Sequence, residues 1–220
     1  MVILMAVSHT QVSVARHGEE LIDLAGGLLS PYSRARVEND SLFNCFSVTK
    51  GLAAAAVWSL VSRGKIDVHA PVSDRTPNMP RGRGKMPLLT PGCAPRSQVA
   101  NYWPKFSGHG KEGITVEHVL THRAGLHMAG IQEMMRDPYT ACDSDAMLRI
   151  LEEAEADGVP GQGDAKYHFL TFGWLVEGIV RGATGGTSLS DYVASEIAPI
   201  VGAQDELLVG LGEGGTKVAP

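Results

Sequence analysis

The most constraining stretch of this chain is Leu52-Ala53-Ala54-Ala55-Ala56-Val57-Trp58-Ser59-Leu60-Val61. Alanine and leucine favour helix, and no Gly or Pro interrupts residues 52–63. The run is apolar on nearly every face, so the helix is expected to be central and buried. Directly before it stands Phe46-Ser47-Val48-Thr49-Lys50-Gly51, which contains a Ser-x-x-Lys spacing. Three residues apart on a helix, the Ser47 and Lys50 side chains share one face. Two readings follow. An amine beside a hydroxyl can help make it a nucleophile, and a helix N-terminus favours developing negative charge. Alternatively, Ser47 is an ordinary N-cap and Lys50 a solvated first-turn residue.

At 220 residues the chain is long enough for one sizeable core, and a net charge of −5 gives no reason to expect nucleic acid as a partner. Cys45, Cys93 and Cys142 are widely spaced and form no metal-ligand pattern. No apolar run approaches the ~18 residues of a membrane span. Residues 1–7 are apolar but too short for a signal-peptide core, which fits either a cytoplasmic chain or a fragment that lost its targeting segment.

Read in order, Gln11-Val12-Ser13-Val14-Ala15 and Glu20-Leu21-Ile22-Asp23-Leu24 form two strands around a His17-Gly18-Glu19 turn. Residues 28–41 are a polar loop, and residues 42–46 are an extended approach to Ser47. Arg63-Gly64 ends the apolar helix. Residues 73–100 differ in kind. They hold five of the twelve prolines, and five basic residues face the single acid Asp74. This composition predicts a flexible insert, either natural or mis-spliced; a basic lid over an anionic substrate is the alternative. Downstream, helices are expected over 114–121 with Thr115 as cap, over 143–155, over 171–181 and over 188–198, followed by a strand over 206–211. His118 and His122 are four apart, but no His-Glu-x-x-His pattern surrounds them, so both are expected to be structural rather than metal ligands.

Five segments in the same order carry a resemblance. They are the opening hairpin, Phe46-Ser47-Val48-Thr49-Lys50-Gly51, Gly64-Lys65-Ile66-Asp67-Val68-His69-Ala70-Pro71-Val72, Ile114-Thr115-Val116-Glu117-His118-Val119-Leu120-Thr121-His122-Arg123-Ala124-Gly125-Leu126, and Tyr167-His168-Phe169-Leu170-Thr171-Phe172-Gly173-Trp174. The chain resembles the serine β-lactamase and penicillin-binding-protein superfamily. Within it, the chain is most similar to the esterase-like branch related to class C β-lactamases. The resemblance implies an α/β (α+β) fold of the β-lactamase/transpeptidase type, an antiparallel sheet joined to a helical region. Residues 1–220 would be a single partial domain interrupted by the insert. The resemblance also implies three catalytic residues: Ser47 as acyl-forming nucleophile, Lys50 as its activating partner, and Tyr167 as general base and later acid. A free phenol has a pKa near ~10, so Tyr167 needs a neighbouring cation to act near neutrality. No metal or cofactor is implied. The substrate would be a small-molecule ester or amide.

Three departures shape the expectation. The second motif of the branch's β-lactamases is Tyr-x-Asn, whereas its third position here is Phe169, which shifts the reading from β-lactamase toward carboxylesterase. The third motif, a Lys/His-x-Gly strand supplying an oxyanion-hole N–H, has no copy; Gly215-Thr216-Lys217 has similar letters in the wrong order. The insert interrupts a join between Ala70-Pro71-Val72 and Val99-Ala100-Asn101. The family's closing strands are therefore expected to be missing, with exposed sheet edges prone to self-association. The rival expectation is a non-catalytic fragment or pseudoenzyme.

Overall fold

A computed structural model of the chain describes residues 9–29, 32, 34–68, 98–204 and 206–210. The chain divides into two compact units, Met1–Phe46 with Gly210–Pro220, and Ser47–Val209.

In the first unit, β1 (His9–Arg16) and β2 (Glu19–Gly27) pair antiparallel. The turn residues His17 and Gly18 both take positive φ, 53° and 81°, the left-handed geometry that matches the twist of a tight hairpin. Val12 faces Leu24 and Val14 faces Ile22, so the expected alternation gives one apolar face. A register shift follows Val14. The polar loop folds back on the hairpin. Leu28 bridges Arg36, the Val37 N–H donates to the Gly27 carbonyl, and Gln11 Nε2 donates to the Glu38 carbonyl at 2.7 Å.

The second unit is helical. Helix α1 (Thr49–Ser62) buries Ala53, Ala56, Val57 and Leu60, an i, i+3, i+4, i+7 stripe. The expectation of burial on every face is corrected here: Ala55 and Trp58 lie on the outer side, with Trp58 49% exposed. Alanine raises helix propensity without needing burial, so a run of four says more about helicity than about depth. The inner stripe packs on α5 (Thr171–Thr184), whose Leu175, Val176, Ile179 and Val180 are fully buried. Two glycines make α5 approachable. A Cβ on Gly178 would overlap the Trp103 ring, and one on Gly182 would overlap the Tyr102 backbone carbonyl. The 3₁₀ turns Val99–Asn101 and Pro104–Phe106 flank this contact, with Val99 and Phe106 wholly buried.

The remaining elements complete this core. Helix α2 (Val116–Leu120) has a reciprocal cap: Thr115 Oγ1 accepts the His118 N–H, and His118 Nδ1 accepts the Thr115 N–H. After α3 (Ile131–Arg136), α4 (Ser144–Glu153) is capped by Asp143, whose carboxylate accepts the Ala146 N–H at 2.9 Å. Buried Lys111 closes the other end of α4 by donating to the Glu152 and Ala154 carbonyls. The expected single helix over 188–198 is three short pieces: α6 (Leu189–Tyr192), a π turn over Val193–Ile197, and a 3₁₀ turn over Ala198–Val201. Pro199 lies at the start of the last piece, where its missing N–H does not matter.

Two boundaries change. Gln98 bridges Thr115, and the Val99 N–H donates to the Ile114 carbonyl, so residues 98–100 belong to the fold; residues 73–97 lie outside the described residues. Of the strand expected over 206–211, the described residues 206–210 form no strand. Among the described residues no helix is long and apolar enough to cross a membrane.

Candidate active site

Ser47 lies in a 3₁₀ turn, Phe46–Val48, that leads into α1. Phe46 holds φ at 44°, an uncommon conformation for a bulky residue. The N-cap of α1 is Val48, with no side-chain cap bond, so the capping reading of Ser47 is corrected. Its hydroxyl is engaged elsewhere. Lys50 Nζ donates to Ser47 Oγ at 3.2 Å, and Tyr167 Oη lies 2.9 Å from the same oxygen. Helical spacing accounts for the first contact. The second spans 120 positions of sequence and requires the fold. Lys50 Nζ also stands 5.1 Å from the centre of the Tyr167 ring and 5.6 Å from that of Phe169. All three residues singled out from the sequence therefore converge on one oxygen.

The Tyr167 phenol is held below its ordinary pKa. The hydrogen bond with Ser47 is the largest cause, and the hydrogen bond and charge of Lys50 add to it against some desolvation. The direction is the one a general base needs.

Two histidines hold the segment that carries Tyr167. His168 is fully buried; its Nδ1 lies 2.7 Å from the Lys166 carbonyl and its Nε2 accepts the Leu126 N–H at 3.0 Å. Burial pushes its pKa down to about 4, so the ring is neutral with the proton on Nδ1. His122 accepts the Lys166 N–H on its carbonyl and the His168 N–H on Nδ1, at 3.0 and 3.1 Å. The structural role expected for His118 is the α2 cap; that of His122 lies at the site. His168 was legible only as a letter in a motif, since neither charge nor periodicity marks it.

Between the turn at 122–125 and the loop at 157–166 is a cavity of about 190 Å³ lined by His122, Arg123, Asp157, Gln162, Asp164 and Lys166. No group of three or more potential metal ligands occurs among the described residues. No strand follows β2 among them, and Gly215-Thr216-Lys217 lies outside them.

The family model described as Beta-lactamase matches residues 4–205. The chain belongs to the beta-lactamase family. An "Esterase/beta-lactamase LipL" of Mycobacterium tuberculosis is 32% identical over 177 residues, covering 79% of this chain and 33% of that protein. "Esterase EstB" of Burkholderia gladioli is 32% identical over 164 residues, covering 68% of this chain and 35% of that protein. This beta-lactamase-family chain thus spans about a third of the length of the two relatives. Among solved structures, a family VIII carboxylesterase superposes with a TM-score of 0.71 at 27% identity, covering 92% of this chain and 47% of the other. A penicillin-binding-protein homologue from Caulobacter crescentus gives 0.67 at 26% identity, covering 87% and 43%. The fold is of the β-lactamase/transpeptidase type, as the resemblance implied.

Proposed function

We propose that this chain carries the acylating site of a serine hydrolase that cleaves small-molecule esters. The observation that supports the reading is the joint approach of Lys50 Nζ and Tyr167 Oη to Ser47 Oγ. In the proposed reaction, Tyr167 as phenolate takes the hydroxyl proton while Ser47 Oγ forms a bond to the ester carbonyl carbon. The resulting oxyanion lies near the N-terminal turn of α1, whose free N–H groups favour negative charge. Collapse breaks the bond to the alcohol oxygen, which receives the proton from Tyr167. Water then attacks the acyl-Ser47 ester, giving its proton to Tyr167, and the acid departs with the Ser47 hydroxyl restored. The hydrogen bond and charge of Lys50 stabilise the phenolate.

Phe169 supports esters over β-lactams. It is 63% exposed beside Lys50 and offers no amide donor to a substrate side chain. The names of the two sequence relatives and of the carboxylesterase structure point the same way.

A second reading, a non-catalytic member of the family, is favoured by the lack of any strand after β2 among the described residues. Loss of a single oxyanion donor typically costs ~10²–10³ in rate. The two readings separate in one assay: turnover of a short-chain p-nitrophenyl ester and of a chromogenic cephalosporin by the folded chain. The hydrolase reading expects ester turnover that Ser47→Ala abolishes, with little cephalosporin turnover. A folded chain with no turnover of either, or equal turnover by Ser47→Ala, favours the non-catalytic reading.

A further inference from the structure

We infer that His122 is the positioning residue for Tyr167, clamping the backbone on both sides of the phenol through its own carbonyl and its unprotonated Nδ1. This rests on Tyr167 being the base of the proposed site. The His122 carbonyl takes the N–H of Lys166, and its Nδ1 takes the N–H of His168, so one residue fixes both neighbours of Tyr167. Its ring adds a third restraint, 4.8 Å from the Tyr167 ring and 5.0 Å from that of Phe172. His122 holds φ at 60°, in the left-handed region that few residues other than glycine adopt and that histidine enters more readily than most.

The clamp also fixes a protonation state. A nitrogen that accepts from an N–H carries no proton, so the neutral ring must be the Nε2–H tautomer. A protonated ring would set an Nδ1–H donor against the His168 N–H donor and lose the bond. The charged groups around His122 are of both signs, and burial beside Lys50 outweighs the carboxylates. Lys50 comes from α1, His168 from the segment before α5, and Arg123 is its neighbour in the turn. Asp157, Asp164 and Lys166 share its cavity. Partial burial first, and then the Lys50 charge, hold its pKa below the ordinary value. The clamp is therefore intact at neutral pH and opens in acid.

The test combines tautomer and kinetics. In the unmodified protein with ¹⁵N-labelled histidine, NMR is expected to show the His122 proton on Nε2 at neutral pH. The His168 amide should shift in step with His122 titration. Asparagine tolerates left-handed φ and offers Oδ1 as acceptor near the position of Nδ1, but cannot be protonated. His122→Asn should therefore label at Ser47 with a fluorophosphonate nearly as fast as the unmodified protein and lack the acid step due to His122. A misplaced catalytic group can cost ~10²-fold, so His122→Ala should slow the labelling step about 10- to 100-fold while leaving the half-saturating probe concentration unchanged. An Nδ1–H tautomer overturns the inference, as does folded His122→Asn labelling as slowly as His122→Ala, or His122→Ala labelling at full rate. Failure of the unmodified protein to label defeats the Ser47 reading instead, and the NMR arm still decides the clamp.

Discussion

At the scale of single residues, two side chains meet on one oxygen. Ser47 Oγ receives Lys50 from one helical turn away and Tyr167 from across the fold. Tyr167→Phe keeps the ring that packs on His122 but removes the hydroxyl that the proposed reaction uses to carry the proton. General acid–base groups contribute typically 10²–10⁴-fold, so this variant should lower ester turnover by about that factor. Its melting temperature should stay close to that of the unmodified chain, because the phenol is half exposed and caps no buried group. Steady-state kinetics beside thermal melting would check both halves. Lys50→Met should act differently. Without the cation, the phenol loses part of the support for its charged form, so the alkaline shift of the pH–rate profile is the diagnostic and is expected to exceed any change in KM. The Ser-x-x-Lys contact was legible because a helix repeat creates it. The Tyr167 contact was legible only through family resemblance, since nothing local says where residue 167 will lie.

At the scale of elements, amphipathic segments are legible in the sequence and breaks are less so. The hairpin, α2 with its Thr115 cap, α4 and α5 all follow from alternation, capping residues or a 3.6-residue stripe. The failures have physical causes. Four alanines in α1 suggested depth on every side, although alanine is neutral about depth. The helix over 188–198 fragments because its hydrophobic pattern continues while the backbone switches hydrogen-bond partner, which a pattern of side chains does not record. The glycines of α5 look like helix weaknesses in sequence, yet the structure uses them for close approach. Gly182→Ala should force the Tyr102 backbone away from α5. Overpacking of this kind costs typically about 1–3 kcal/mol, more when the opposing atom is backbone, and urea unfolding would measure it. Gly173→Ala is the control, because its Cβ would enter open space and should leave stability unchanged or slightly raised.

At the scale of the whole molecule, three histidines make stability depend on pH. His118, His122 and His168 all have pKa values lowered chiefly by burial, and that of His168 falls to about 4. Each is neutral in the folded chain and takes up a proton more readily when unfolded. The unfolded state thus binds more protons in acid, and stability rises with pH. For His168 the contribution is fully present above its unfolded value near ~6.5 and is lost as pH falls through about 4, amounting to about 3 kcal/mol at most. Urea midpoints should drop between neutral pH and pH ~4.5, and His168→Asn should flatten that drop. An unchanged midpoint across this range would mean that the buried histidine is not held neutral. The family assignment spans residues 4–205 and so embraces both compact units, whereas every residue of the proposed site belongs to Ser47–Val209.

The proposed reaction requires Ser47 to be an activated nucleophile. The most direct measurement is brief exposure of the folded chain to p-nitrophenyl acetate, acid quench, and peptide mapping by mass spectrometry. One acetyl group per chain is expected on the Ser47 hydroxyl, absent from Ser47→Ala and slow to form in Tyr167→Phe. Acetylation on Lys50 or other surface amines alone, at rates unaffected by Tyr167→Phe, would contradict it.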